Sequence, residues 1–384
     1  MSNALGVVNS SMMLSYSFRG SKGEEFIGFN SHLPLLPASN MKIITGYAAY
    51  LVLGKKYNLS ASFIRDHETL VVSGGPTPFL FSSILRTVLD KFGYSVPIEN
   101  KEIKKVKFIN PSIDDVQINP FWIYGDSRYS YQAKITNFSI NENCTSKKPG
   151  EITISSEYLH RNENKFRPVK DPKQYFTKEI LSLPHDGVLS DLPNGMSVDS
   201  ENNTLKFKLI DVIKHMEYES CNFSAEVLFK MISARDSKSV GSWNKSVQVM
   251  KKLVKPILGL HQKISIVDGS GLSRNNFLTT SFLSGFIFNI VKNGNNRFLD
   301  YLPSPGKGTL IGRLERYGDE KILAKTGSLS GVSALSGYIK SRKVAFSIII
   351  NNYLGNHKPS MIVDEVLSTF LENNEIRLDS RFPD

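Results

Sequence analysis

The chain has 384 residues, 40% of them apolar and 22% charged, with a net charge of +11. Such a composition excludes a disordered chain, and the length suggests about two to three domains. No run of about 18 apolar residues occurs, which excludes an ordinary membrane-spanning helix.

Residues 1–11 carry neither a basic n-region nor a long apolar stretch, so no secretory signal is read there. Residues 13–16 and 25–29 alternate around a Gly-containing loop at 19–23, which predicts a β-hairpin. A proline-bracketed extended stretch follows at 33–38. From Ser39 to Leu51 the apolar spacing predicts a helix, ended at Gly54 with Lys55 and Lys56 near its negative pole. Residues 70–76 read as a strand running into a turn, 79–92 as an amphipathic helix and 106–109 as a strand. The basic run at 101–107 alternates with apolar residues and reads as a strand edge.

Aromatic and polar residues alternate from 122 to 140, which predicts strand. The stretch 139–173, rich in Asn, Lys, Glu and Pro, reads as loops and short strands. Helices are predicted at 209–216 and 225–232, flanking a polar gap, and at 246–258. A Gly-rich loop at 268–272 precedes a long buried helix at 280–291. A second hairpin, 336–340 with 344–351, and a final helix at 360–371 complete the chain. This order predicts an antiparallel sheet built from both chain ends, helices packed on it, and an inserted block.

The basic charge is scattered rather than clustered, so a solvated surface is expected and nucleic acid is not an expected partner. Peripheral membrane association and oligomeric state stay open. Cys144 and Cys221 allow one disulfide but no disulfide scaffold. There is no HExxH, CxxC, GxGxxG or Walker loop, so neither a metal site nor a cofactor is expected.

Three short segments carry chemistry. In Ser39-Asn40-Met41-Lys42, the serine opens a helix, where free N–H groups favour an anion. The lysine lies on the same face, where an amine can take the serine proton. In Ser220-Cys221-Asn222, a hydroxyl can pass a proton and an amide can hold a carbonyl. Lys325-Thr326-Gly327-Ser328 lies on a predicted strand. Gly327 leaves room there for a close backbone, and a peptide can pair along the strand edge. Each segment is weak alone. Their order, SxxK, SxN, KTG, is shared by penicillin-binding proteins and serine β-lactamases.

Longer stretches carry a resemblance to serine DD-peptidases of the penicillin-binding protein 4 type, the peptidase S13 family. They are residues 37–42, 70–76, 268–274 (Asp268-Gly269-Ser270-Gly271-Leu272-Ser273-Arg274), 302–303, 308–310, Arg313 and 324–329. The resemblance implies an α+β (mixed α/β) penicillin-binding/β-lactamase-like transpeptidase fold, its antiparallel sheet flanked by helices, with an inserted subdomain. The catalytic domain is expected at 1–62 and 205–384 and the insert at 63–204. The stretch 143–171 is too short for the second subdomain usual in the insert, which is expected to be lost or reduced.

By this resemblance Ser39 is the acylated nucleophile and Lys42 its base. Ser220 and Asn222 form the SxN element, and Lys325, Thr326 and Gly327 the substrate-binding edge. The amides of Ser39 and Ser328 make the oxyanion hole, and the 268–273 loop buttresses the site. Asp126, shortly after Trp122, is the candidate for binding a stem-peptide ammonium over an aromatic floor. Cys221 stands where the family usually has Asp. The expected partners are peptidoglycan stem peptides, with β-lactam antibiotics as covalent inhibitors, in a periplasmic or other extracytoplasmic setting. A serine β-lactamase and a non-catalytic peptidoglycan-binding module are the alternatives.

Overall fold

The computed structural model describes residues 12–94, 103–147, 163–181, 192–257, 263–354 and 358–373. The strands, in chain order, are β1 (Met13–Arg19), β2 (Glu25–Phe29), β3 (Asn58–Asp66), β4 (Thr69–Gly75), β5 (Lys105–Pro111), β6 (Cys144–Ser146), β7 (Phe166–Pro168), β8 (Met196–Asp199), β9 (Thr204–Lys208), β10 (Ile322–Leu329), β11 (Val332–Ile339) and β12 (Val344–Asn351). The chain divides into two compact units, Met1–Tyr47 with Met250–Asp384, and Ala48–Val249.

The first unit holds an antiparallel sheet in the order β10-β11-β12-β1-β2. Strands from both chain ends meet at its centre, as the two hairpin patterns predict. The alternation in β1 dictates which helix covers which face. Leu14, Tyr16 and Phe18 join a core that includes Val363, Leu367 and Phe370 of the final helix, Pro359–Asn373. Phe18 and Phe370 lie with ring centroids 4.3 Å apart. Ser15 and Ser17 point the other way, and their hydroxyls meet Thr280 Oγ1 and Ser284 Oγ, each at 2.7 Å. Those partners stand on the helix Thr280–Lys292, whose first turn is capped by the Thr279 side chain. Small hydroxylated residues on that face let the helix approach closely while its buried polar atoms stay paired.

The second unit holds a mixed sheet, β5-β4-β3-β9-β8, in which only the β4–β5 pair is parallel. β5 ends this sheet, so Lys105 and Lys107 do lie on an edge strand. The expected insert boundaries, 62/63 and 204/205, fall inside β3 and β9, which pair with each other. An insert that keeps this ladder whole has to begin before β3 and end after β9.

Several expectations change. Residues 122–140 form no strand. They hold the 3-10 turns Tyr124–Arg128 and Ser130–Gln132. Their alternation comes from burial of Ala133, Ile135 and Phe138, while intervening amides satisfy backbone. Asn137 Oδ1, for example, accepts from Ser112 N at 2.8 Å. The helix read at 246–258 runs over Trp243–Val254, and residue 258 lies outside the described residues. Cys144 and Cys221, which could have formed one disulfide, are both buried and not disulfide-bonded. Of the stretch 143–171, residues 148–162 lie outside the described residues, and the antiparallel pair β6–β7 flanks them. No described helix is long and apolar enough to cross a membrane.

Candidate active site

Ser39 sits in the 3-10 turn Ala38–Asn40, just before the helix Met41–Val52 rather than inside it. Ala38 adopts φ +46°, a left-handed conformation that swings the chain sharply into the turn. Lys42, one position into the α-helix, is fully buried. Its Nζ lies 2.7 Å from the half-buried Ser39 Oγ and donates to Ser270 O at 3.0 Å. The protonated amine donates to Ser39. A neutral amine at the same distance would accept the hydroxyl proton.

The loop carrying Ser270 is rigidly built. The fully buried Asp268 accepts from the amides of Gly271 (2.9 Å) and Ser273 (2.7 Å) and from Asn276 Nδ2 (2.7 Å). Thr45, one turn beyond Lys42, donates to Gly269 O at 2.7 Å. Gly271 has φ +81°, and a Cβ there would collide with Ala38 O. The loop thus braces both the lysine and the turn that carries the serine. Its Gly-rich spelling was visible in the sequence, but the part of Asp268 as the acceptor that closes it was not.

β10 lies at the open end of its sheet. Ala324 N donates away from β11, to Pro303 O at 2.9 Å. The strand's period of two carries that outward direction on to the amides of Thr326 and Ser328. The fully buried Lys325 donates to Thr326 O at 3.1 Å, and Thr326 Oγ1 donates to Thr309 Oγ1 at 2.7 Å. Asn40 anchors the serine turn to the sheet by donating to Ser336 Oγ at 2.8 Å.

A Cβ on Gly327 would lie 2.8 Å from Pro37 O and 3.1 Å from Ser39 N. The strand therefore passes against the serine's own amide only because residue 327 has no side chain. Gly327→Ala should push β10 away from this turn. It is expected to cost about 1–3 kcal/mol of stability, as overpacking typically does, and to slow acylation of Ser39. Thermal unfolding and acylation kinetics measure the two effects, and parent-like values for both would refute the close-approach argument.

Ser39, Lys42 and the Lys325-Thr326-Gly327-Ser328 strand all belong to the first unit, whereas Ser220, Asn222 and Asp126 belong to the second. Ser220 adopts φ +56°. Cys221 N-caps the helix Asn222–Ser237, its Sγ accepting from Ser224 N at 3.3 Å. An Asp, the usual residue here, is a strong N-cap, so the thiol keeps that local task. Asn222 Nδ2 donates to Tyr131 O at 3.0 Å, which ties the SxN segment to the turns following Asp126. No sequence spacing announced Tyr131.

Beneath Cys221 lie Glu142 and His215. Cys221 Sγ donates to Glu142 Oε2 at 3.4 Å, and His215 Nε2 stands 3.8 Å from Glu142 Oε1. Burial works against the imidazolium, but the Cys221 sulfur and the Glu142 carboxylate outweigh it and hold the His215 pKa up at about 9.

Asp126 is half-buried, and its carbonyl accepts from Tyr129 N. The aromatic floor expected from Trp122 is not available. Trp122 is buried against Trp243, with ring centroids 5.8 Å apart. The aromatics exposed near Asp126 are Tyr124 and Tyr129, the latter stacked on Tyr131 at 5.2 Å.

The model of the D-Ala-D-Ala carboxypeptidase 3 (S13) family matches residues 19–205 and 203–372. The chain belongs to this family. Among S13-like relatives, penicillin-sensitive carboxypeptidase A of Dictyostelium discoideum is 30% identical over 207 residues, which is 48% of this chain and 39% of that protein. D-alanyl-D-alanine carboxypeptidase DacB of Haemophilus influenzae is 32% identical over 154 residues, 38% of this chain and 32% of its own length. The matched stretches thus span about a third of those relatives. The solved structure of penicillin binding protein 4 (dacB) from Haemophilus influenzae superposes with a TM-score of 0.74 at 19% identity, covering 96% of this chain and 98% of that one. The predatory peptidoglycan endopeptidase Bd3459 from Bdellovibrio bacteriovorus gives 0.55 at 14% identity, covering 97% of each. These likenesses show the fold: a penicillin-binding fold of mixed α/β content, its sheets flanked by helices.

Proposed function

We propose that this S13 chain is a serine DD-peptidase that cleaves D-Ala-D-Ala ends and cross-links of peptidoglycan and is acylated by β-lactams at Ser39. The single observation that carries the reading is the 2.7 Å contact between buried Lys42 Nζ and Ser39 Oγ, set against an open strand edge. A hydroxyl is a poor nucleophile without a base in reach, and this pair supplies both partners.

In this reading the stem peptide pairs along β10, and Lys325 and Thr326 hold its terminal carboxylate. Lys42 takes the Ser39 proton as Oγ attacks the penultimate D-Ala carbonyl carbon. The amides of Ser39 and Ser328 stabilise the oxyanion, where one such donor is worth roughly 3 kcal/mol. The C–N bond breaks, and the leaving amine takes a proton by way of Ser220 and Lys42, with Asn222 holding the peptide. Water then hydrolyses the acyl-enzyme. A β-lactam acylates the same oxygen, but its amine stays tethered to the acyl group. The place of such a reaction is the extracytoplasmic space in which peptidoglycan lies. Slow turnover of a chromogenic cephalosporin with a stable adduct on Ser39 supports the peptidase. Fast turnover would instead indicate a β-lactamase, and no adduct a non-catalytic wall-binding module.

Asp126 selects the stem peptide by pairing with the ammonium of its diamino acid. Asp126→Asn is expected to lower kcat/KM for a free-amine peptide by roughly tenfold, the effect of losing about 1–3 kcal/mol of charged hydrogen bonding. Penicillin acylation should barely change. Equal losses on both substrates would show general damage and remove Asp126 from substrate selection.

A further inference from the structure

The side chains of Glu142, His215 and Cys221 come from three separate places in the second unit. Glu142 lies in a turn where Asn141, Glu142 and Asn143 all have positive φ, at 53°, 52° and 56°. Three left-handed residues in a row are costly unless the surroundings hold them. Here the flanking amides do so. Asn141 Oδ1 accepts from Ser82 N at 2.9 Å, and Asn143 Nδ2 donates to Lys134 O at 2.8 Å and Thr136 Oγ1 at 2.7 Å. The result aims a buried carboxylate, 3% exposed, at the sulfur of Cys221. His215 reaches the same point from the helix Leu209–Tyr218, its ring packed on Phe79 with centroids 5.5 Å apart. Its Nε2 is shut off from solvent and makes no hydrogen bond.

We propose that Glu142, His215 and Cys221 form a metal site for a zinc-class divalent ion beside the SxN segment. One donor atom from each residue lies within 4.8 Å of the others, with the Cys221 sulfur 3.4 Å from Glu142 Oε2 and His215 Nε2 3.8 Å from Glu142 Oε1, so the two oxygens of the carboxylate face the two other donors. Tetrahedral zinc, with bonds of about 2.3 Å to sulfur and about 2.0–2.2 Å to nitrogen and oxygen, sets its donors roughly 3.3–3.7 Å apart. The donor set, thiolate, imidazole and carboxylate, suits zinc rather than calcium or magnesium, which take oxygen. Three protein ligands leave a fourth position for water or the second carboxylate oxygen. On binding, the thiol and any imidazolium release their protons to solvent. The ion would pin the residue between Ser220 and Asn222 to the left-handed turn at Glu142. The spacing of the ligands along the chain, from 142 to 221, hides the site from any sequence motif.

The test is metal uptake by the whole chain, stripped with a chelator and titrated with cobalt(II), then with zinc. It needs no catalytic activity, so its failure and failure of the peptidase reading are separate results. The parent should take up one equivalent of cobalt and show a sulfur-to-cobalt charge-transfer band that zinc abolishes. Cys144→Ala should keep the band and Cys221→Ala should lose it. Zinc affinity should fall at least tenfold in His215→Ala and in Glu142→Gln. Should Cys221→Ala fail to fold, the His215 and Glu142 variants carry the same decision. Absence of the band in the parent, its persistence in Cys221→Ala, or parent-like zinc affinity in both other variants would overturn the assignment.

Discussion

Ser39→Ala should leave no covalent adduct after incubation with a penicillin, while the parent gains the mass of one ring-opened antibiotic. Loss of the attacking oxygen removes the bond-forming atom itself, so the expected fall in acylation is at least about 10⁴-fold, the scale on which nucleophile deletions act in serine hydrolases. The substitution deletes one hydroxyl from a half-buried position in a 3-10 turn. The turn is anchored by Asn40 and by the close approach of Gly327, not by the serine side chain. Thermal stability should therefore stay near the parent's, and the loss is chemical. Intact-protein mass spectrometry reads the result. An adduct on Ser39→Ala at the parent rate would move the nucleophile elsewhere.

Lys42→Met is the second large expectation. Methionine keeps an unbranched chain in the buried slot and removes the amine. Acylation should fall about 10²–10⁴-fold, the usual worth of a general base. Here stability also suffers, because Ser270 O loses its 3.0 Å donor inside the protein. Losing a buried hydrogen bond from a charged donor costs about 1–3 kcal/mol. The two effects separate by measurement: acylation kinetics at a temperature well below the variant's unfolding midpoint isolate the chemistry. Acylation within about tenfold of the parent there would exclude Lys42 as the base.

What could be read in the letters followed from local rules. Ser39 and Lys42 are three apart at a helix start, so their meeting is a matter of helix geometry. Lys325 to Ser328 follow an apolar strand start, and the first hairpin shows its alternation directly. The stretch 122–140 misled because asparagine side chains, such as Asn137 on Ser112 N, do there what a strand ladder does elsewhere. Trp122 looked like a binding surface because a sequence does not say which face of an aromatic ring is already taken, and Trp243 takes it. The insert boundaries expected from the resemblance fall inside β3 and β9, because a resemblance in short motifs does not show that these two strands pair with each other. Glu142 gave no signal, because its partners lie far along the chain and Glu142 itself is a residue that rarely adopts positive φ.

The central pairing of β1 with β12 has a consequence for the birth of the protein. Tyr16 lies opposite Ile348, and β12 is the strand that joins β1 to β11. On the ribosome, Ser39 and Lys42 emerge early and Lys325 late, but the strand that links their hairpins emerges later still. Until residues 344–351 leave the tunnel, the β1–β2 hairpin and the β10–β11 hairpin share no ladder, and the serine turn has no fixed strand against it. Contacts this distant in sequence also form slowly. A nascent chain that already contains every chemical motif therefore still lacks the assembled strand edge beside Ser39. A chain cut short before β12 would expose two unpaired strand edges and be expected to aggregate rather than act.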